Sequence, residues 1–142
     1  TIFLDGDEIR KIFQSDKGSC NYTIEGRKIN AQRIVSLCKM LDLQGIHVVC
    51  STLCIFPELL EQNRNLFGEY VEIYVDAPIE ILQQRDEKGL YKAASLGKEQ
   101  NVVGIDIKFP VPNNPDLILD TSNPDNLQNN IDLAIGIITK NG

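Results

Sequence analysis

Short apolar runs that end on a polar residue alternate along this chain with segments of helical periodicity, an order that few folds accommodate. Residues 1–5 (Thr-Ile-Phe-Leu-Asp) read as a buried strand closed by a carboxylate. Residues 26–43 carry Ile34, Leu37, Cys38 and Leu41 at the i, i+3, i+4, i+7 spacing of a helix face, and Gly45 is a natural stop. Residues 46–53 are a continuous apolar run, the pattern of a strand covered on both faces. A helix at 57–67, a strand at 70–75 running into Asp76 and a helix from Pro78 to about residue 85 follow. Residues 117–119 give a fourth, short strand. Asn123-Pro124 then opens a helix with the apolar stripe Leu127, Ile131, Ala134, Ile135 and Ile138. Strands alternating with helices imply an α/β fold in three layers, a parallel sheet with helices on both faces. Ligands of such sheets bind beyond the carboxyl ends of the strands, so the chemistry is expected in the residues that follow each strand.

The 142 residues fit one domain, 1–142, and their 42% hydrophobic content suffices for a core. No apolar run approaches the roughly 18 residues of a membrane span, and no signal peptide opens the chain, so a soluble, cytoplasmic protein is expected. The net charge of -6 argues against a nucleic-acid partner. An anionic small molecule would need a local basic pocket. Four cysteines without a C-x-x-C pair, and a single histidine, do not suggest a zinc site; Cys38, Cys50 and Cys54 read as small core residues. Residues 86–115 break the alternation. They carry Gly89, Gly97, Gly104, Pro110, Pro112 and Pro115 with only a short helix at 91–96, and so read as a lid or binding loop.

Three motifs sit where ligands are expected. Asp5-Gly6-Asp7-x-x-Arg10 closes the first strand. Gly6 permits a tight turn, and Asp7 can accept a proton from a substrate hydroxyl, help hold magnesium, or simply cap a helix. Arg10 can grip an anion. Tyr22-x-x-x-x-Arg27-x-x-Asn30-x-x-Arg33 puts Arg27, Asn30 and Arg33 on one face near a helix start, with an aromatic ring just upstream; a solvated charged face would look the same. Arg85-Asp86-x-Lys88-Gly89-Leu90-Tyr91-Lys92 places cations and glycine where a helix gives way to the lid, as phosphoryl transfer requires.

In this order, and followed by Gly104-Ile105-Asp106, the motifs resemble the adenylylsulfate kinase family over about residues 2–120. The resemblance implies the fold of a P-loop nucleotide kinase, ATP and magnesium as cofactors, and a homodimer. It also implies transfer of the γ-phosphoryl of ATP to the 3′-hydroxyl of adenosine 5′-phosphosulfate. It gives Asp7 and Lys88 catalytic roles, with Asp7 also near the metal. It gives Asp5, Arg10, Tyr22, Arg27, Asn30, Ile55 and Leu90 to the substrate, with Tyr22 where the family stacks a phenylalanine on adenine. Arg85 would lie against the base of ATP.

The chain departs from the family pattern in three places. It contains no G-x-x-x-x-G-K-[ST]; by resemblance that loop belongs just upstream of the strand at 1–5. Ile-Ser-Pro-Tyr-Arg becomes Ile55-Phe56-Pro57-Glu58-Leu59, which removes an arginine beside the substrate; Arg64 is the expected replacement. An aromatic before Gly-Ile-Asp becomes Val102-Val103. The second departure makes a kinase of the same fold acting on another nucleotide the alternative, such as a cytidine diphosphate derivative bearing a phosphoramidate. A non-catalytic nucleotide-binding module is a third class, against which the retained Asp7, Arg10, Arg27, Asn30 and Lys88 argue.

Overall fold

In the computed structural model, residues 1–86 and 88–140 are described; Glu87, inside the expected lid, lies outside them. Strand β1 (Ile2–Asp5) leads into helix α1 (Gly6–Ile12), a 3₁₀ turn (Ser19–Tyr22) and helix α2 (Ile24–Asp42), and the chain returns as strand β2 (Val48–Ser51). Helix α3 (Pro57–Leu66) links to strand β3 (Ile73–Asp76), helices α4 (Ile79–Gln84) and α5 (Leu90–Ser95), strand β4 (Leu117–Asp120) and helix α6 (Leu127–Lys140). The crossovers from β1 to β2 and from β3 to β4 each return the chain to a parallel partner. β1 pairs with β2 from Ile2↔Val48 to Asp5↔Ser51, and β3 with β4 from Ile73↔Leu117 to Asp76↔Asp120. The α/β organisation is as expected, but the described strands form two parallel pairs and not one ladder.

Local chemistry sets the boundaries. The Asp5 carboxylate accepts the N–H groups of Asp7 (3.0 Å) and Glu8 (3.1 Å), so β1 turns at once into α1. Thr23 Oγ1 accepts the Gly26 N–H at 3.2 Å, which starts α2 two residues before the periodicity does. Gly45, at φ 72°, closes that helix. Its turn delays the following strand, so β2 spans only Val48–Ser51 of the expected 46–53.

The main apolar cluster is Ile55, Phe56, Leu59, Val103 and Ile107, flanked by Ala31, Cys54 and Phe109. It corrects the picture of a uniformly loose lid. The second half of segment 86–115 enters the core, with Val102 only 3% exposed. Two other expectations are also corrected. Leu127, Ile131, Ile135 and Ile138 of α6 are exposed, and so are Val49 and Val75 on the strands, because no described element lies over them. Cys50 is exposed too, while Cys38 and Cys54 are half-buried.

Candidate active site

Asp7, Arg10, Tyr22, Arg27 and Lys88 gather beyond the carboxyl end of β1. Gly6 lies so close to the end of β2 that a Cβ there would stand 3.2 Å from Ser51 O, which brings the start of α1 beside the chain leading to Ile55. Two carboxylates of the first motif divide the work. Asp5 caps α1. Asp7 makes no cap. Its carboxylate is exposed and meets Lys88 Nζ at 2.9 Å across a separation of 81 residues, so the lid lysine reaches the strand edge. The carboxylate raises the Lys88 pKa, chiefly through that hydrogen bond.

Beside this pair lies a cation cluster of a buried and a half-buried arginine. Arg10 is only 8% exposed and donates to Asn21 O at 3.2 Å. Arg27 donates through Nε to Tyr22 O (2.9 Å) and through Nη2 to Asn101 O (2.8 Å). Both guanidinium groups meet the Tyr22 ring, at 4.8 and 5.7 Å from its centroid, so a base stacking there would share the ring with them. Burial and the neighbouring Arg10 hold the Arg27 pKa below its usual value. Among the described residues, no carboxylate lies within ion-pair distance of either group. Buried charge without a counter-ion is costly, so the cluster is electrostatically prepared for an anion.

Asn30 is also buried, and its Oδ1 has no hydrogen-bond partner among the described residues. An orphaned buried acceptor costs about 1–3 kcal/mol, which a ligand N–H or O–H would recover. Arg33, on the same helix face, lies over the Phe13 ring instead. Ile55 is buried in the apolar cluster, and Leu90 opens α5 half-exposed. Arg85 donates to the carbonyls of Thr121 (2.6 Å) and Ser122 (3.0 Å), tying the end of α4 to the loop after β4.

Arg64 does not replace the lost arginine. It binds Asp116 (3.0 Å), Glu72 (3.4 Å) and Asn114 O, at the amino ends of β3 and β4. Helix α3 carries it away from the site. Two residues that sequence reasoning passed over belong to the site's frame. Gly26 packs so tightly under the 3₁₀ turn that a Cβ would fall 2.3 Å from Cys20 O. Asn101, at φ 64°, offers its carbonyl to Arg27; the readiness of Asn to adopt that conformation was the only sign.

A family model described as adenylylsulphate kinase matches residues 1–120. The chain is 38% identical over 134 residues to the cytidine diphosphoramidate kinase of Campylobacter jejuni, covering 94% of this chain and 76% of that protein. It is 37% identical over 124 residues to the adenylyl-sulfate kinase of Marinobacter nauticus, covering 86% of this chain but only 61% of that protein. The APS kinase of Mycobacterium tuberculosis, solved with AMPPNP and APS, superposes with a TM-score of 0.77 at 28% identity, covering 93% of this chain and 78% of that one.

Proposed function

The chain belongs to the adenylylsulphate kinase family, and from that premise we propose that it serves ATP-dependent phosphorylation of adenosine 5′-phosphosulfate at its 3′-hydroxyl. The observation that carries this reading is the buried Arg10 with the half-buried Arg27, neither of which has an ion-pair partner among the described residues, on the helices that follow Asp7. The pair binds the anionic end of the acceptor. Asn30 Oδ1 accepts a hydrogen from the same molecule. Asp7 takes the proton of the attacking hydroxyl, and Lys88 holds that carboxylate in place until substrate arrives. Arg85 stands near the base of ATP.

Magnesium fits this donor set. No group of three or more metal-ligating side chains occurs among the described residues, so there is no all-protein cage. A magnesium ion carried by nucleotide phosphates needs only one or two carboxylates, and Asp7 is exposed and suitable. When bound, the metal would neutralise charge developing on the transferred phosphoryl group.

A second reading is favoured by the sequence Phe56-Pro57-Glu58-Leu59. Phe56 and Leu59 are spent in the core and Arg64 is spent at the far edge, so α3 offers no cation to a sulfate. That supports a cytidine diphosphate derivative bearing a phosphoramidate as the acceptor. Adenine and cytosine both present an exocyclic amine to Asn30, so this contact suits either base. The test is a panel assay of the full-length protein with ATP and adenosine 5′-phosphosulfate, cytidine diphosphoramidate, AMP, CDP and UDP. One of the first two should be phosphorylated at least tenfold faster than the rest. Turnover of none of the five would sink both readings.

A further inference from the structure

The Gly104-Ile105-Asp106 motif has no role in the reaction as described above, yet its carboxylate shapes the loop that touches Arg27. Asp106 Oδ2 accepts the Asn101 N–H at 2.6 Å and Oδ1 accepts the Val102 N–H at 2.5 Å. The turn is closed from within by the N–H groups of Ile105, Asp106 and Ile107, all of which reach Val102 O, and by Gly104 N–H to Ile107 O at 2.8 Å. Gly104 is at φ 92°, and a Cβ there would meet Ile79 Cδ1 at 3.0 Å, so the turn is also shaped by α4. Val102, Val103 and Ile107 fasten it into the core. With its N–H held by the carboxylate and its φ at 64°, Asn101 turns its carbonyl towards α2, where Arg27 Nη2 donates to it.

The Arg27 guanidinium is therefore fixed by two carbonyls. One comes from its own helix start, Tyr22 O, and the other from a turn 74 residues away in sequence. Only the second depends on Asp106. A guanidinium anchored at Nε and Nη2 has its remaining N–H groups oriented before any ligand arrives, which reduces the ordering cost of binding.

We propose that Asp106 is a positioning residue for the acceptor anion: by folding the Asn101–Ile107 turn it presents the Asn101 carbonyl that aims Arg27. This inference rests on the reading of Arg10 and Arg27 as the anion site. Asp106 touches no reacting atom. Its loss misdirects Arg27 without removing it, so the affinity for the acceptor falls while the chemical step and the ATP side are spared.

The experiment is a double-mutant cycle on the full-length enzyme with the acceptor found best in the panel assay: wild type, Asp106→Asn, Arg27→Ala and the double variant. Asp106→Asn should raise the acceptor KM about tenfold, the equivalent of roughly one good hydrogen bond. The kcat and the ATP KM should stay within about twofold. In the Arg27→Ala background the same change should raise the acceptor KM less than about twofold further, because there is no guanidinium left to aim. Equal effects of Asp106→Asn in both backgrounds would overturn the proposal, as would a parallel loss in kcat and both KM values. An unchanged acceptor KM in Arg27→Ala alone would overturn the anion-site reading itself. If Asp106→Asn does not fold, Asp106→Glu replaces it, moving the carboxylate one methylene away from the two N–H groups, with the same supporting and overturning results.

Discussion

Asp5 and Asp7 stand two positions apart, yet their surroundings divide them. Asp5 ends β1 with its carboxylate turned onto the first N–H groups of α1, which satisfies donors that every helix start leaves open. Asp7 lies one step inside the helix, exposed, with the exposed Lys88 as its partner. Only Asp7 is free to exchange that partner for substrate. Asp7→Asn in the full-length enzyme should therefore lower kcat by about 10²–10⁴, the range of general base catalysis, with an unchanged melting temperature. A loss below about threefold would reduce Asp7 to a lid tether. Asp106 gives a pH prediction of its own. The N–H groups of Asn101 and Val102 hold its pKa below the usual aspartate range. A depressed carboxylate contributes stability above its unfolded pKa and loses it as pH falls through the folded one. Exchange protection of the Asn101 and Val102 amides should thus be intact at neutral pH and at pH 5, and disappear only below the usual aspartate range. Loss of protection already at pH 5 would mean the carboxylate is not what holds the turn.

At the scale of elements, two segments decide whether the site is formed. The 3₁₀ turn Ser19–Tyr22 rests directly on α2 at Gly26, which has room for no side chain. Gly26→Ala would gain helix propensity but push Cys20 and Asn21 away, and with them the Tyr22 ring that both arginines meet. Overpacking of this kind costs about 1–3 kcal/mol, so thermal melting should show a clear loss; an unchanged or raised melting temperature would mean that the turn yields freely. The segment after α4 divides into unequal halves. Gly89 and Gly97, at φ 66° and 69°, bracket α5, none of whose residues is buried. Residues 102–107 are pinned by the core and by Asp106. In hydrogen exchange on the full-length enzyme, amides of residues 88–98 should exchange quickly without nucleotide and slow when it binds. Amides of 102–107 should be protected in both states. Equal protection of the two halves in both states would remove the lid.

Over the whole molecule, Arg64 marks the side opposite to the chemistry. It ties α3 to the amino ends of β3 and β4 through Asp116, Glu72 and Asn114 O, and its guanidinium lies over Tyr70. Glu72 is largely enclosed and its pKa is raised by burial, so removing its cation leaves a charge poorly solvated. Arg64→Ala should cost about 1–3 kcal/mol, more than an exposed pair and less than a fully buried one, while kcat and both KM values stay within about twofold. A tenfold rise in the acceptor KM would return Arg64 to the substrate pocket. What the sequence determined by itself is what local rules control. Alternating apolar runs and helical periodicity specify parallel strands and crossovers, and Asp-Gly-Asp at a strand end specifies where chemistry can begin. Motif order pointed to the family that the comparisons then matched. Tertiary structure decided which member of each pair of like residues does what. The cap went to Asp5 and the lysine contact to Asp7, while Arg27 reached the Asn101 carbonyl and Arg64 the amino ends of β3 and β4. Asp106 acquired a partner in Asn101 that reaches α2. The contacts Asp7–Lys88, Arg27–Asn101 and Arg64–Asp116 span 81, 74 and 52 residues of chain. No pattern of neighbouring residues encodes such contacts, because packing, not spacing, brings the groups together.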